Sequence, residues 1–203
     1  MLDKSKRDKI LKASLEEFAE YGYEKASTDR ISQRAEVSKG LIFHYFGSKS
    51  KLYLITMNSC IDEIMEDYNN IDFDNKDFLF KIKLLMEIKY NFFIKNPLQY
   101  KLIVNGFFNS PKELKDELTK RYNDLRKTGL DIIAGFIRGV PLKKNVSVEN
   151  VVDVISGIQS VLESKYLYYF TDNTLSFEKY YNIVADDFMS LLNTVMYGII
   201  DEK

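Results

Sequence analysis

Cysteine and histidine are almost missing from this chain: Cys60 and His44 stand alone among 203 residues. A single cysteine excludes an intramolecular disulfide and fits a reducing compartment. Cys60 reads as a small core residue. One histidine and one cysteine leave no Cys/His metal cluster. They also leave no Ser-His-Asp triad away from the segment that holds His44. No glycine-rich phosphate loop appears among the 9 glycines. No catalytic residue, metal ligand or cofactor is therefore expected, and adjacent carboxylates such as Asp186 and Asp187 read as helix-surface charges. No run of about 18 apolar residues is present, so no membrane-spanning helix is expected. The opening MLDKSKRDKI has no apolar stretch of the secretory kind, which points to a cytoplasmic protein. Only 3 prolines interrupt the chain, leaving long stretches free for helix.

What remains is helical periodicity throughout, with no sustained strand alternation. The pattern predicts an all-α protein. A first helix is expected from about Lys4 to Tyr21, with Leu11, Leu15, Phe18 and Ala19 on one stripe and Gly22 as its stop. A long helix is expected from Ser48 to about Tyr68, then a polar break over Asn69–Lys76. Pro97 and Pro111 each open a further helix. Ser110-Pro111-Lys112-Glu113 reads as a capping box, and Gly139-Val140-Pro141 ends the helix it starts. Ser147 and Ser176 are expected to cap the last two helices. Charge is unevenly spread: residues 1–51 hold 11 Lys and Arg against 8 Asp and Glu, while the remainder holds 18 against 22. A mildly basic N-terminal piece on an acidic protein suits local contact with a polyanion.

The most informative stretch is TDRISQRAEVSKGLIFHYFGSKSKL, residues 28–52. It reads as two short helices joined by a tight turn, followed by the start of a third. Ile31, Ala35, Val37, Ile42 and Phe46 are spaced so that the short helices pack together. The second of them then offers Lys39, Gly40, Phe43 and His44 outward, a basic and aromatic face suited to a DNA groove. Thr28 and Ser38 are expected as N-caps. Lys39 and Lys49 place cations in the first turns of helices, which is unfavourable unless an anion such as a phosphate sits there. Gly40 in a first turn costs roughly 1 kcal/mol of helix propensity, which a close approach by another backbone would justify.

As it stands here, the pattern T-x-x-I-x-x-x-A-x-V-S-x-G-x-I-F-x-Y-F-x-S-K-x-x-L resembles the DNA-binding segment of the tetracycline-repressor (TetR) family. The matching segment covers about a quarter of the chain. The resemblance implies a dimeric bacterial transcriptional regulator, usually a repressor released from a palindromic double-stranded DNA operator by a small ligand. It places Thr28, Ser38, Lys39, Gly40, Leu41, Phe43, His44, Tyr45 and Lys49 at the DNA, with Thr28, Tyr45 and Lys49 mainly on phosphates. Two departures stand out. Glu36 occupies a turn position often held by glycine, which suits a right-handed backbone there. Phe43 replaces a frequent tyrosine and loses its hydroxyl.

The resemblance implies two domains: a three-helix helix-turn-helix domain over residues 1–50, and a helical effector-binding and dimerisation domain over 51–203. The last two helices carry more apolar surface than one core requires. Val154 and Val161 widen the first stripe, and Val184, Leu191, Met196 and Ile199 extend the second. The family dimerises through its last two helices, so Ile155, Ile158, Leu162, Phe188, Leu192 and Val195 are expected at a homodimer interface. Of the 28 Phe and Tyr residues, 22 lie beyond residue 51. They include a group over residues 90–122 and Tyr166, Tyr168, Tyr169 and Phe170 later. Tyr90, Phe93, Phe107 and Tyr122 are candidates to line a cavity for a small apolar or amphipathic effector. Two other classes compete: a helical interaction protein with a vestigial helix-turn-helix, and an enzyme. Retention of Lys39, Gly40 and Lys49 in place argues against the first, and the missing catalytic constellations against the second.

Overall fold

The computed structural model describes residues 4–70, 72–74, 76–172 and 176–198; the side chains of residues 69 and 167–172 are outside the description. The expectations placed on Tyr168, Tyr169, Phe170 and Ile199 therefore lie outside the described side chains. Among the described residues the secondary structure is helical: α1 (Lys4–Lys25), α2 (Thr28–Arg34), α3 (Lys39–Phe46), α4 (Lys49–Asn69), α5 (Phe78–Lys95), α6 (Pro97–Phe108), a 3-10 turn (Lys112–Leu114), α7 (Lys115–Ile137), α8 (Val148–Asp172) and α9 (Phe177–Tyr197). The chain divides into two compact units. The first takes in residues 1–70 and 95–120; the second takes in 71–94 and 121–203. The first unit extends beyond the helix-turn-helix because α4 and α6 both pack with α1.

In the first unit, α1 is the central strut. Its buried side chains are Ile10, Ala13, Ser14, Glu17, Phe18, Ala19 and Tyr23. The expected stripe is thus rotated: Leu11 and Leu15 are only partly covered, and a carboxylate lies in the buried row. Glu17 is fully buried and ties α1 to α2. Its Oε1 accepts from the Ser27 N–H at 2.8 Å, from Arg30 Nε at 2.8 Å and from Arg30 Nη2 at 2.5 Å. Arg30 also donates to the Lys25 carbonyl and lies 4.4 Å from the Tyr21 ring centroid. Bonding to Glu17 raises the pKa of the Arg30 guanidinium above its ordinary value.

Gly22 breaks α1 as expected, at φ 67°, and the helix resumes for a few residues to Lys25. There Tyr53 packs edge-on against both Phe18 and Tyr23, its centroid 4.9 Å from the first and 5.2 Å from the second. The Tyr23 hydroxyl donates to Glu113. This overturns the expected capping box, because Glu113 serves Tyr23 instead of an N-cap. Ser110 Oγ also points backward, donating to the Gly106 carbonyl at 2.6 Å, and a 3-10 turn stands where a helix start was expected. Gly106 lets α6 approach α4: a Cβ there would meet Met57 Sδ at 2.6 Å. Cys60 is buried as expected, and burial pushes its thiol up to about 12.

The second unit is built on Phe78, Ile82, Ile133, Ile137, Ile155, Ile158, Leu162, Tyr166, Tyr180, Phe188 and Leu192. Both expected serine caps are present. Ser147 accepts from the Asn150 N–H, and Ser176 from the Lys179 N–H. Asp187 clamps α9 to α8 by accepting from Lys165 Nζ and the Tyr166 hydroxyl, each at 2.6 Å. These bonds hold its carboxyl below the ordinary carboxylate value, with Lys165 the larger cause. One expectation is corrected here. Ile155, Ile158, Leu162, Phe188 and Leu192 are buried in the subunit's own core, and of the six proposed interface residues only Val195 is exposed. The open apolar face of this helix pair consists of Val154, Val161, Ile183, Leu191 and Val195, with Val161 at 60% exposure.

Two stability measurements follow. Glu17→Ala strands Arg30 and the Ser27 N–H, and is expected to cost about 3 kcal/mol in urea denaturation. Glu36 adopts a left-handed backbone, φ 55°, in place of the right-handed one expected, and a side chain there costs about 1–2 kcal/mol. Glu36→Gly is expected to raise stability by about 1 kcal/mol in the same assay.

Candidate nucleic-acid interface

The residues from Ser27 to Lys51 are arranged by three serine caps. Ser38 Oγ accepts from the Leu41 N–H at 3.2 Å, and Ser48 Oγ from the Lys51 N–H at 3.1 Å. The cap of α2 is Ser27, whose side chain accepts from the Asp29 N–H. Thr28 is the first helical residue, one place beyond the expected cap. With a Ser-Thr pair ahead of the helix, either hydroxyl suits the role by type; the Glu17 bond to the Ser27 N–H selects the first. The turn from Ala35 to Ser38 is closed by the Val37 N–H donating to the Ser32 carbonyl.

α3 divides cleanly into two faces. Ile42 and Phe46 are buried against the first unit, while Lys39, Gly40, Phe43 and His44 are exposed and Leu41 and Tyr45 are half-buried. Phe43 keeps 39% of its surface open, unusual for a phenyl ring in a packed three-helix unit. The space beside Gly40 is empty, since an added Cβ would meet no protein atom within 4 Å. Nothing in the fold of the subunit therefore requires glycine there. Lys39 Nζ lies 2.9 Å from Asp29 Oδ2, with both groups exposed. Such a surface pair contributes at most about 1 kcal/mol, so exchanging the carboxylate for a phosphate costs little.

Lys49 sits at the start of α4, its ammonium 4.7 Å from the Tyr23 ring centroid and 3.3 Å from the Glu24 carbonyl that accepts from it. The ammonium therefore stands where α1 ends, beside α3's neighbour. Sequence reading placed this lysine on the surface but missed Tyr23 and Glu24 beneath it. Their separation of 25 residues or more from Lys49 leaves no local signal.

The proposed ligand-lining residues fall in both units. Tyr90, Phe93 and Tyr122 lie in the second. The Tyr90 centroid is 4.6 Å from Tyr181, and that of Phe93 is 5.7 Å from Phe177. The Tyr122 hydroxyl donates to Glu163 at 2.5 Å. Phe107 belongs to α6 of the first unit. Among the described residues no group of His, Cys, Asp and Glu is placed to hold a metal ion, and no helix is long and apolar enough to cross a membrane.

Residues 10–54 match the family model of bacterial regulatory proteins, tetR family. The same residues form α1 to the start of α4, with the exposed α3 face just described. Over these residues the chain is similar to the DNA-binding segment of the tetR family. It is 28% identical over 108 residues to the transcriptional activator FasR of Mycolicibacterium smegmatis, covering 53% of this chain and 49% of that protein. It is 25% identical over 131 residues to IcaR of Staphylococcus aureus, a negative transcriptional regulator of a biofilm operon, covering 64% and 68%. This chain thus spans about half the length of FasR in their match. The fold is that of the regulator FadR from Bacillus subtilis in complex with stearoyl-CoA, with a TM-score of 0.62, 20% identity and coverage of 96% and 100%. A tetR-like helix-turn-helix with open space at Gly40 yields a separable expectation. Gly40→Ala should leave stability within about 0.5 kcal/mol, as urea denaturation reads it. Duplex affinity in a gel-shift titration should fall about tenfold or more, because the methyl fills the space a sugar-phosphate strand needs.

Proposed function

We infer that this chain is a cytoplasmic, homodimeric, sequence-specific regulator of transcription of the TetR family, a repressor that a small molecule releases from its operator, and not an enzyme. The observation that carries the reading is the outward face of α3, where Lys39, Phe43 and His44 stand exposed around the unoccupied space at Gly40. A helix with one face locked in a core and the other basic and aromatic suits the major groove. Lys39, Leu41, Phe43 and His44 then meet base edges and flanking sugars. Thr28, Tyr45 and Lys49 fix register on the phosphates, Gly40 allows the close approach, and Ser38 caps the helix that makes it. IcaR, as a negative regulator, supports repression, which requires only that the bound dimer exclude other proteins from the duplex.

Dimerisation supplies the second half of the reading. Val154, Val161, Leu191 and Val195 are exposed apolar side chains on the paired helices α8 and α9, and Gly157, between Val154 and Val161, adds open space. An isologous two-fold contact through this face brings two α3 helices to successive turns of one duplex. Residues 1–50 then serve as the DNA-binding domain and 51–203 as the effector-binding and dimerisation domain. The stearoyl-CoA held by FadR, together with the aromatic surface around Tyr90 and Phe93, supports an apolar or amphipathic effector. Such a ligand releases DNA by preferring a conformation whose recognition helices are mis-spaced. α4 is the natural connector, because Lys49 opens it and Asn70 leads the chain into the second unit.

The test is a selection of bound sites from randomised duplexes, followed by titration of the best site with the intact protein and with Val161→Asp. The expected site is an inverted repeat with half-site centres about 34–36 Å apart, bound with an affinity that falls by orders of magnitude between low and moderate salt. Val161→Asp should be monomeric by light scattering and lose preference for the repeat over a single half-site. Asymmetric selected sites, or a monomeric variant that binds the repeat undiminished, would contradict the reading.

A further inference from the structure

α1 does not run straight to its end. At Gly22 the backbone leaves the helix, at φ 67° and ψ 174°, before helix resumes to Lys25. α6 packs along α1, and where α1 breaks a cleft of about 380 Å³ opens between them. One wall is α1 from Ala19 to Lys25, and the other is Lys101, Asn105 and Asn109 of α6 with its C-cap; Tyr53 of α4 and Pro111 complete the lining. All of these residues belong to the first unit. An added Cβ at Gly22 would meet no protein atom within 4 Å, so the break itself stays clear. The volume is at the small end of the range of about 300–1,000 Å³ that ligand sites occupy, room for one molecule of amino-acid size.

The two walls differ in charge. The end of α1 draws cations: Lys49 Nζ donates to the Glu24 carbonyl at 3.3 Å, Arg30 Nη2 to the Lys25 carbonyl at 2.8 Å, and Arg34 Nη2 to Glu20 Oε2 at 3.2 Å. A helix C-terminus behaves this way because its last carbonyls lack helical donors and its dipole ends negative. The Glu24 carboxylate, on the same wall, has no hydrogen bond or ion pair among the described residues. On the α6 wall, Lys101, Asn105 and Asn109 recur at steps of four and so share a face. They supply one ammonium and two amides, again without a side-chain partner among the described residues. Lys101 is felt across the cleft: the Glu20 carboxyl lies below its ordinary value, first through Tyr21 and Arg34 and in smaller part through Lys101. Between the walls the lining is aromatic, with Tyr23 and Tyr53 buried edge to face and Tyr21 38% exposed.

The geometry points to this cleft as a binding site for a free aromatic amino acid. Its ammonium is set against Glu24 at the end of α1, its carboxylate against Lys101 with the Asn105 and Asn109 amides beside it, and its ring against the tyrosines between. A zwitterion satisfies both walls at once. An amine of the same shape leaves Lys101 unanswered, and an acid of the same shape leaves Glu24 unanswered, so each forfeits one charge-assisted hydrogen bond. The site lies in the unit that carries α3, apart from the aromatic residues of the second unit, and does not depend on the effector reading above.

The chain contains no tryptophan, so indole fluorescence reports a bound probe without background from the protein. The probes are L-tryptophan, tryptamine, which lacks the carboxylate, and indole-3-propanoate, which lacks the ammonium, each titrated against the full chain by fluorescence anisotropy. L-Tryptophan is expected to bind about tenfold or more tightly than either of the others, as one charge-assisted contact at each end requires. Lys101→Met should bring L-tryptophan down to the affinity of tryptamine and leave tryptamine unchanged. Glu24→Gln should bring it down to that of indole-3-propanoate and leave that probe unchanged. Both side chains are exposed, and an unaltered urea midpoint shows that each variant is folded. Equal affinity for the three probes, no binding of L-tryptophan into the millimolar range, or a preference for L-tryptophan that survives both substitutions would overturn the site. None of these outcomes touches the regulator reading, which the duplex selection decides on its own.

Discussion

The orientation of α3 depends on one buried carboxylate. Glu17, fully buried on α1, gathers the Ser27 N–H and the Arg30 guanidinium and so fixes where α2 begins. Arg34 Nη1 approaches the other oxygen at 3.7 Å. With α2 set, the Ser32 carbonyl accepts the Val37 N–H and closes the turn, and Ile42 and Phe46 seat α3. A half-exposed arginine on a buried carboxylate is a directional tie. An apolar contact in its place would let α2 slide, and a slid α2 would carry α3 with it.

From that tie the first unit extends through Tyr23. Its ring stacks edge-on with Tyr53 of α4 and lies under the Lys49 ammonium, while its hydroxyl bonds to Glu113 at the 3-10 turn. Burial and then the bond to Glu113 push the Tyr23 phenol up to about 12, so it stays a donor throughout the physiological range. The same side chain thus touches the helix that opens with Lys49 and the turn that leads into α7.

Much of the two-faced character of α3 was legible in sequence because its determinants are local. Ile42 and Phe46 alternate with Lys39, Phe43 and His44 within two helical turns, and Ser38 lies three residues from the amide it caps. The misreadings share a cause at longer range. Glu17 looks like any helix-surface acid until Arg30 and Ser27 fold over it. Glu113 completes a capping pattern in sequence, but Tyr23, 90 residues away, claims its carboxylate. Ile155, Leu162 and Leu192 sit on apolar stripes wide enough for two neighbours. Only the placement of α8 against α9 shows that these residues face their own subunit while Val154, Val161 and Val195 face out.

The account's central claim is that the open face of α3 reads bases while Lys49 only holds the backbone. The direct measurement compares selected and random duplexes with two variants. Lys49→Ala is predicted to weaken both duplexes by a similar factor, because a phosphate contact carries no sequence information. His44→Ala is predicted to narrow the gap between them by about 1–3 kcal/mol. A His44→Ala protein that kept the full gap, with Lys49→Ala closing it instead, would contradict the account.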